Sequence, residues 1–208
     1  QFLKLQWNLR ESHVLTFNVL HNSEYLGNTG LSIVRPEETT TNFLRRNLTL
    51  GLSNRQTRGG LLLESLLQWT RRRDTDLAKG TSTLHIQPGL WQGNFFTDRR
   101  GRSERIHAAQ TAAWQKDTGG VMHRFKVGAE FDNVDSDLWL PRRPFYILDD
   151  SGNIKTSVGF LGSDYTNIGN QEYGAFMLDR IALTPKLEVE IGVRFDREHV
   201  VGRSNFAP

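Results

Sequence analysis

Apolar and polar residues alternate along most of this 208-residue chain. The clearest run is LEVEIGVRFD, residues 187–196, in which every second residue is aliphatic or aromatic and the intervening residues are charged or glycine. Successive side chains of a β-strand point to opposite faces, so this pattern predicts a strand with one apolar and one polar face. Helical periodicity is scarce, and the chain is therefore predicted to be all-β.

About eight segments carry the alternation. They lie near residues 3–10, 15–19, 47–53, 61–70, 105–114, 121–132, 172–183 and 187–196. The seventh, EYGAFMLDRIAL, is strand-like but apolar on both faces, so the pattern alone does not orient it.

The links between these segments alternate strictly between short and long. Tight turns are predicted at 11–13, 54–59, 117–120 and 184–186, and long loops near 23–42, 73–103 and 133–170. This rhythm is typical of an up-and-down sheet with tight turns at one rim and long loops at the other. We therefore predict that residues 1–208 form a single region, an antiparallel up-and-down meander of about eight strands that is part of a larger transmembrane β-barrel.

Composition narrows the function classes. No apolar run approaches the ~18 residues of a membrane-spanning helix, which excludes a helical membrane protein. The chain has no cysteine, which removes disulfides, thiolate metal sites and cysteine nucleophiles. A net charge of only +3 gives no reason to expect a nucleic-acid partner. Aromatic residues are predicted to form two girdles on the apolar face, with Trp69, Phe131 and Phe195 near the long-loop rim and Trp7 and Trp114 near the tight turns.

Three segments carry motifs of one family. VMHRFKVGAEF has His123, Lys126, Gly128 and Glu130 at matching places, and EYGAFMLDR is an aromatic-rich strand that ends in an aspartate, Asp179. The third segment, LEVEIGVRFDRE, has the order Gly-x-Arg-aromatic-Asp at residues 192–196. The final SNFAP is similar to the start of the strand that follows in the same family. Together they resemble the barrel domain of TonB-dependent outer-membrane receptors, closest to the group whose plug follows a carboxypeptidase-regulatory-like domain.

The resemblance implies energy-coupled uptake of a nutrient across the bacterial outer membrane, with iron chelates, cobalamin or glycans as the cargo classes. It also implies two partners in the full-length protein, a plug domain and the TonB motor. No segment here resembles a plug or a motor-contacting box, and a transporter barrel has ~22 strands, so a partial barrel is expected. The residues expected to face the barrel lumen are Arg124, Lys126, Glu130, Glu188, Glu190, Arg194 and Asp196.

Arginine clusters fall on the long-loop side of this topology. The candidates for contact with outer-membrane lipid, through lipopolysaccharide phosphates, or with an anionic cargo are Arg71, Arg72, Arg73, Arg142 and Arg143. Guanidinium groups bind phosphate through two parallel hydrogen bonds, which is the reason for this hypothesis. Solvated charges in long loops are an equally good interpretation.

No catalytic, cofactor or metal site is predicted, and the chain is not expected to be an enzyme. The six histidines are dispersed, and the acidic stretch DNVDSD at 132–137 lacks the glycine and closing glutamate of a calcium loop. The alternative function is a soluble β-sandwich carbohydrate-binding module that uses Trp91, Trp139 and Tyr146. In a sandwich, two apolar faces would pack together ~10 Å apart.

Overall fold

The computed structural model describes residues 1–184, 186–200 and 202–207. Apart from one turn of 3-10 helix at Glu37–Thr39, all regular elements in this part of the chain are strands. The strands are β1 (Phe2–Arg10), β2 (His13–Thr29), β3 (Thr41–Arg58), β4 (Leu61–Ala78), β5 (His85–Gln87), β6 (Leu90–Gln92), β7 (Arg99–Thr118), β8 (Val121–Trp139), β9 (Phe145–Leu148), β10 (Ile154–Val158), β11 (Tyr165–Thr184), β12 (Leu187–Glu198) and β13 (Arg203–Ala207). No helix in the described part is long and apolar enough to cross a membrane.

Nine strands form the main sheet, in the order β1-β2-β3-β4-β7-β8-β11-β12-β13. Every neighbouring pair is antiparallel, so the chain runs up and down across the sheet without a crossover. The predicted meander is therefore confirmed. Strand β13, which includes the segment SNFA, adds a ninth strand beside β12.

The main strands are longer than the alternation predicted. Strand β2 continues to Thr29 and β3 begins at Thr41, so the loop expected over 23–42 shortens to 30–40. The other two long loops shorten in the same way, to 79–98 and 140–164. Above the apolar stretch of each strand the regular alternation of apolar and polar residues stops, which removes the sequence pattern, while the backbone ladder continues.

Two of the tight turns are formed by glycine pairs. Gly59 and Gly60 have φ values of 56° and 85°, and Gly119 and Gly120 have 65° and 89°. Positive φ at both central residues is the type I′ hairpin geometry that suits the twist of the flanking strands. The turn predicted at 54–59 was therefore misplaced, because β3 runs to Arg58 and the glycines make the turn. The turn predicted at 184–186 contains Pro185, which lies outside the described residues.

A second sheet is built from two of the long loops. Strands β5 and β6 come from the loop 79–98 and β9 and β10 from the loop 140–164, in the order β10-β9-β5-β6. We call this the loop sheet. Strand β5 pairs with β9 in parallel. Leu84, directly before β5 and 1% exposed, is the only fully buried apolar side chain of the described residues.

Polar links fasten the loop sheet to the strands below it. The backbone N–H of Ala78, at the end of β4, donates to Asp98 Oδ1 at 2.8 Å. Arg143 donates to Asp98 Oδ2 at 3.1 Å and to the carbonyl of Phe95 at 2.7 Å. Beside them the rings of Phe96 and Phe160 stack with centroids 5.4 Å apart. The two loops therefore form one packed unit.

The main sheet has two chemically different faces. The apolar face carries the aliphatic residues and remains uncovered, with Leu67 at 53%, Met177 at 55% and Ile191 at 61% exposure. The opposite, polar face carries the ion pairs. In a β-sandwich a second sheet would cover these apolar side chains, and in the described part of the chain the loop sheet does not. The sandwich alternative is therefore wrong.

Candidate functional surfaces of the main sheet

The structure orients the strand that the sequence left ambiguous. In β11, Met177 and Ile181 lie on the apolar face, and Phe176 and Leu178 lie on the polar face. Glycines across the sheet make room for the latter two. Phe176 lies over Gly128 of β8, and Leu178 lies against Gly192 of β12. Because a glycine has no side chain, a large apolar group can cover it and lose exposure even on the polar face.

Near the tight turns, the polar face carries a group of four charges on three strands. Arg180 of β11 donates to Glu190 at 2.6 and 2.8 Å, and its Nε lies 3.0 Å from a carboxylate oxygen of Glu188. Arg124 of β8 donates to the other oxygen of Glu188 at 3.2 Å. Glu188 is therefore shared by two arginines, and Glu190 accepts both Arg180 hydrogen bonds on one oxygen, Oε2, which favours a fixed arrangement over a set of independent surface pairs.

Higher on the same face, Arg194 joins two strands. Its Nε donates to Asp196 at 2.8 and 3.0 Å, and its Nη2 donates to Glu130 of β8. Gly174 lies between the two carboxylates, and any side chain there would collide with Glu130. The arginine can bridge from β12 to β8 because the intervening strand has no side chain at this point.

A third group lies one step further up the polar face. Arg105 donates to Asp132 through Nε at 2.8 and 2.9 Å, and His107 Nδ1 lies 3.2 Å from the same carboxylate. This group and Arg194 line a depression of about 540 Å³ that also includes Glu172 and Glu198. Across β7, β8, β11 and β12 the polar face thus carries three groups of paired charges.

All seven residues predicted to face a lumen lie on this polar face. In the described part, Lys126 is the one member of this set without an oppositely charged partner; its Nζ lies 5.9 Å from the ring centroid of Phe176. The sequence interpretation missed Arg105, His107, Asp132 and Arg180. Arg180 was missed because its strand has no orientation in the sequence pattern, and Arg105 and His107 because the lumen candidates lie on only two strands, β8 and β12. Strict period-2 counting from Arg124 and Glu130 would have placed Asp132 on this face.

The apolar face forms a band whose upper edge runs obliquely across the strands. On β3 the band ends at Leu48 and on β12 it ends at Phe195. Followed through the strand register, Leu48 aligns with Asp135 of β8, whereas Phe195 aligns with Ala129.

The edge therefore shifts by about six residues, or about 20 Å, across five strand spacings of about 4.8 Å. That slope corresponds to strands tilted by about 40° from the normal of a flat layer covering the band. Strands of transmembrane barrels tilt by this amount. The oblique edge therefore matches a sheet whose apolar face is covered by a planar layer of lipid.

Aromatic rings lie at both levels of this band. Phe131 contacts Tyr173 near the upper edge, with centroids 5.1 Å apart. Near the tight turns, Trp114 stacks on Phe125 at 5.2 Å. Next to that stack is an ionisable pair on the apolar face, where His123 Nδ1 lies 2.7 Å from Asp179 Oδ2. The ring of His123 also stacks on Phe125, so the imidazole is part of the aromatic level.

The structure separates the predicted anion-contact arginines into three places. Arg71 and Arg73 lie above the band on the apolar side of β4. Arg72 lies on the polar face, with Nε 3.4 Å from Asp74, which Arg99 also contacts at 3.3 Å. Arg142 lies over the ring of Phe160 at 5.2 Å and Arg143 binds Asp98, both within the packed loops. These five residues therefore do not form one site.

The acidic stretch DNVDSD does not converge on one point. Asp132 lies on the polar face, and Asp135 and Asp137 lie on the other side of β8. In the described ranges, no three metal-ligating side chains come together. At the tip of the loop sheet, the pKa of Asp149 lies below its usual range because the backbone N–H groups of Asn153, Ser151 and Gly152 stabilise its carboxylate. Asp149 is therefore a turn-forming residue.

The family of the chain follows from a match over nearly its whole length. The family described as TonB dependent receptor-like, beta-barrel matches residues 5–208. The chain belongs to this family. It is therefore part of a TonB-dependent receptor β-barrel of the bacterial outer membrane. No curated protein sequence matches it.

Solved structures share the fold at low sequence identity. The outer membrane transporter YddB from Escherichia coli aligns with a TM-score of 0.73 at 16% identity over 99% of the chain. The siderophore receptor PiuA from Acinetobacter baumannii gives 0.59 at 13% over 95%. BauA, the ferric preacinetobactin receptor from the same species, gives 0.62 at 10% over 99%. The chain spans 28%, 34% and 35% of these proteins, about a third of each.

Proposed function

We propose that this receptor barrel takes up a nutrient by energy-coupled transport and that the described sheet is one section of the barrel wall. The observation that supports the proposal is a single antiparallel sheet with one apolar face and one face that carries ion pairs. The family matches it from residue 5 to residue 208. The full-length protein then supplies two partners, a plug domain inside the barrel and the TonB motor that acts on the plug. The chain acts in binding and passage, and no enzyme activity is proposed.

The apolar face is proposed to contact lipid and the polar face to line the lumen. Exposed aliphatic side chains on one side and paired charges on the other are the distribution that a membrane barrel requires. Arg194, Glu130 and Asp196 would then contact the plug or the path of the cargo. The long-loop rim and the loop sheet lie outside the cell in this orientation, and the tight turns lie on the periplasmic side.

Each face can be tested with a single residue in the full-length receptor. Thr111 and Ala112 are neighbours on β7 that point to the polar and apolar faces, and the described region has no native cysteine to interfere. We expect a bimane label on Ala112→Cys to be quenched by brominated lipids and the same label on Thr111→Cys to be unaffected. Equal quenching at the two positions would contradict the assignment of the faces.

The cargo class is proposed from two of the similar structures, a siderophore receptor and a ferric preacinetobactin receptor. An iron chelate is the first class to test, followed by cobalamin and a glycan. Deletion of the full-length gene should abolish uptake of one class, measured with a radiolabelled cargo, and a protonophore should abolish the same uptake in wild-type cells. Uptake that persists after the protonophore would overturn energy-coupled transport. Loss of none of the three classes would overturn the proposed cargo.

A further inference from the structure

Three arginines lie side by side in one row across the main sheet. Arg46 of β3 is in register with Arg73 of β4, and Arg73 is in register with Arg102 of β7. All three are exposed and lie on the same side as the apolar band. Residues directly opposite each other on neighbouring strands have Cβ atoms about 5 Å apart, and like charges at that distance destabilise the pairing.

The acids around this row neutralise only part of it. Glu104 is shared, with Arg102 donating to it at 2.7 Å and Arg71 lying 3.2 Å away. Asp137 closes the row on the β8 side, where it also accepts hydrogen bonds from Tyr165 and Asn167. Within the described ranges, Arg46 and Arg73 contact no carboxylate. The unbalanced positive charge is therefore at the β3–β4 end of the row.

The position of this row relative to the apolar band indicates what would approach it. On β3, Arg46 is the next residue on this face after Leu48, the last residue of the band. On β4, Arg71 and Arg73 follow Trp69 in the same way. A lipid whose chains cover Leu48 and Trp69 would place its headgroup beside these guanidinium groups. Arg100, held over the ring of Trp139 at 4.6 Å, lies one step higher at the same surface.

We propose that Arg46 and Arg73, supported by Arg71, bind a phosphate group in the headgroup of an outer-leaflet lipopolysaccharide. A phosphate between two guanidinium groups would accept charge-assisted hydrogen bonds from both, and it would remove the repulsion between like charges on β3 and β4. A phosphate that entered with cargo through the lumen would meet the polar face, where Arg72 is already paired with Asp74. The proposal rests on the orientation given above, with the long-loop rim outermost.

Two matched double variants of the full-length receptor in detergent test the site. Arg46→Gln with Arg73→Gln removes the pair. Arg45→Gln with Arg72→Gln removes the same charge one residue away on the same strands, on the opposite face. The probes are bis-phosphorylated lipid A, dephosphorylated lipid A and inorganic phosphate, with binding measured by native mass spectrometry and by fluorescence titration.

We expect the Arg46/Arg73 variant to bind bis-phosphorylated lipid A on the order of tenfold more weakly than the wild type, since each lost hydrogen bond to a charged group is large enough for that change. The Arg45/Arg72 variant should bind it as the wild type does, and dephosphorylated lipid A should bind weakly to all three proteins. Equal loss in both variants, or equal binding of the two lipids, would overturn the site. Binding of inorganic phosphate as tight as that of lipid A would show that the source is free phosphate and would also overturn it.

This measurement does not depend on transport. Failure of the uptake assay with retained lipid A binding would remove the proposed cargo and leave the lipid site. If the wild-type protein takes up the cargo but does not bind lipid A, the lipid site is removed and the proposed cargo stands.

Discussion

The ring of Phe176 on β11 lies over Gly128, the residue directly opposite it on the neighbouring strand β8. The ring also meets the Lys126 ammonium on its face. This single relationship explains why β11 is apolar on both sides, because its polar-face aromatic residue is packed against the sheet itself.

Replacing Gly128 by alanine should destabilise the barrel by about 1–3 kcal/mol, the usual cost of overpacking. The added methyl group would overlap the Phe176 ring and lie 3.2 Å from Thr111 Cγ2. Gly169→Ala is the control, because its methyl group would meet only the carbonyl oxygen of Val134 at 3.9 Å. Urea unfolding of the full-length receptor measures both. Equal unfolding midpoints for the two variants would show that Phe176 does not depend on this glycine.

The Gly119-Gly120 turn should tolerate change at one position only. Gly120 has a φ of 89°, so valine there should cost about 1–2 kcal/mol through backbone strain alone, since no atom lies within 4 Å of its Cβ position. Asparagine at Gly119, φ 65°, should be nearly neutral because asparagine enters this region readily. The measurement is the refolding yield of each variant in detergent. A Gly120→Val yield equal to that of the wild type would contradict the turn type.

The His123–Asp179 pair should matter because it lies on the apolar face. His123→Leu leaves the Asp179 carboxylate without its 2.7 Å partner, and an unpaired carboxylate at that surface should cost about 1–3 kcal/mol. The double variant with Asp179→Leu as well should recover most of the loss, since neither polar group remains. Unfolding midpoints in lipid vesicles are the measurement. A double variant as unstable as His123→Leu would show that the pair has another role.

Arg194→Gln should lower the unfolding midpoint, because it leaves Glu130 and Asp196 facing each other across Gly174 without a cation. This loss of stability should be smaller at salt concentrations of about 0.5–1 M, because salt screens the repulsion between exposed charges. Adding Glu130→Gln should restore part of the loss. A midpoint that is insensitive to salt in Arg194→Gln would indicate that the guanidinium acts by packing instead.

Arg143→Ala should release the loop sheet while leaving the main sheet intact. The variant removes hydrogen bonds to Asp98 and to the Phe95 carbonyl, which connect the two loops. Limited proteolysis should then cleave within 79–98 or 140–164 at a protease concentration that spares the wild type. Lys155→Ala, at an exposed position on β10, is the control. Resistance equal to that of the control would show that the aromatic packing is sufficient without Arg143.

Much of the main sheet could be predicted from sequence because its pattern is local. Residues such as Glu188 and Ile191 alternate within one strand, and glycine pairs mark their own turns, so the faces and the chain-order meander follow from neighbours in sequence. The strand ends could not be predicted, because above the apolar band the alternation stops while hydrogen bonding between strands continues.

By itself, the sequence determined the all-β meander, the apolar and polar faces, and the family motifs at residues 121–131 and 187–198. The tertiary structure alone decided the orientation of β11, the loop sheet that pairs His85 with Tyr146, and the row Arg46–Arg73–Arg102. The physical reason is register. A strand's own alternation says which side a residue faces, whereas the residue it meets across the sheet depends on hydrogen bonds between segments that are distant in the chain.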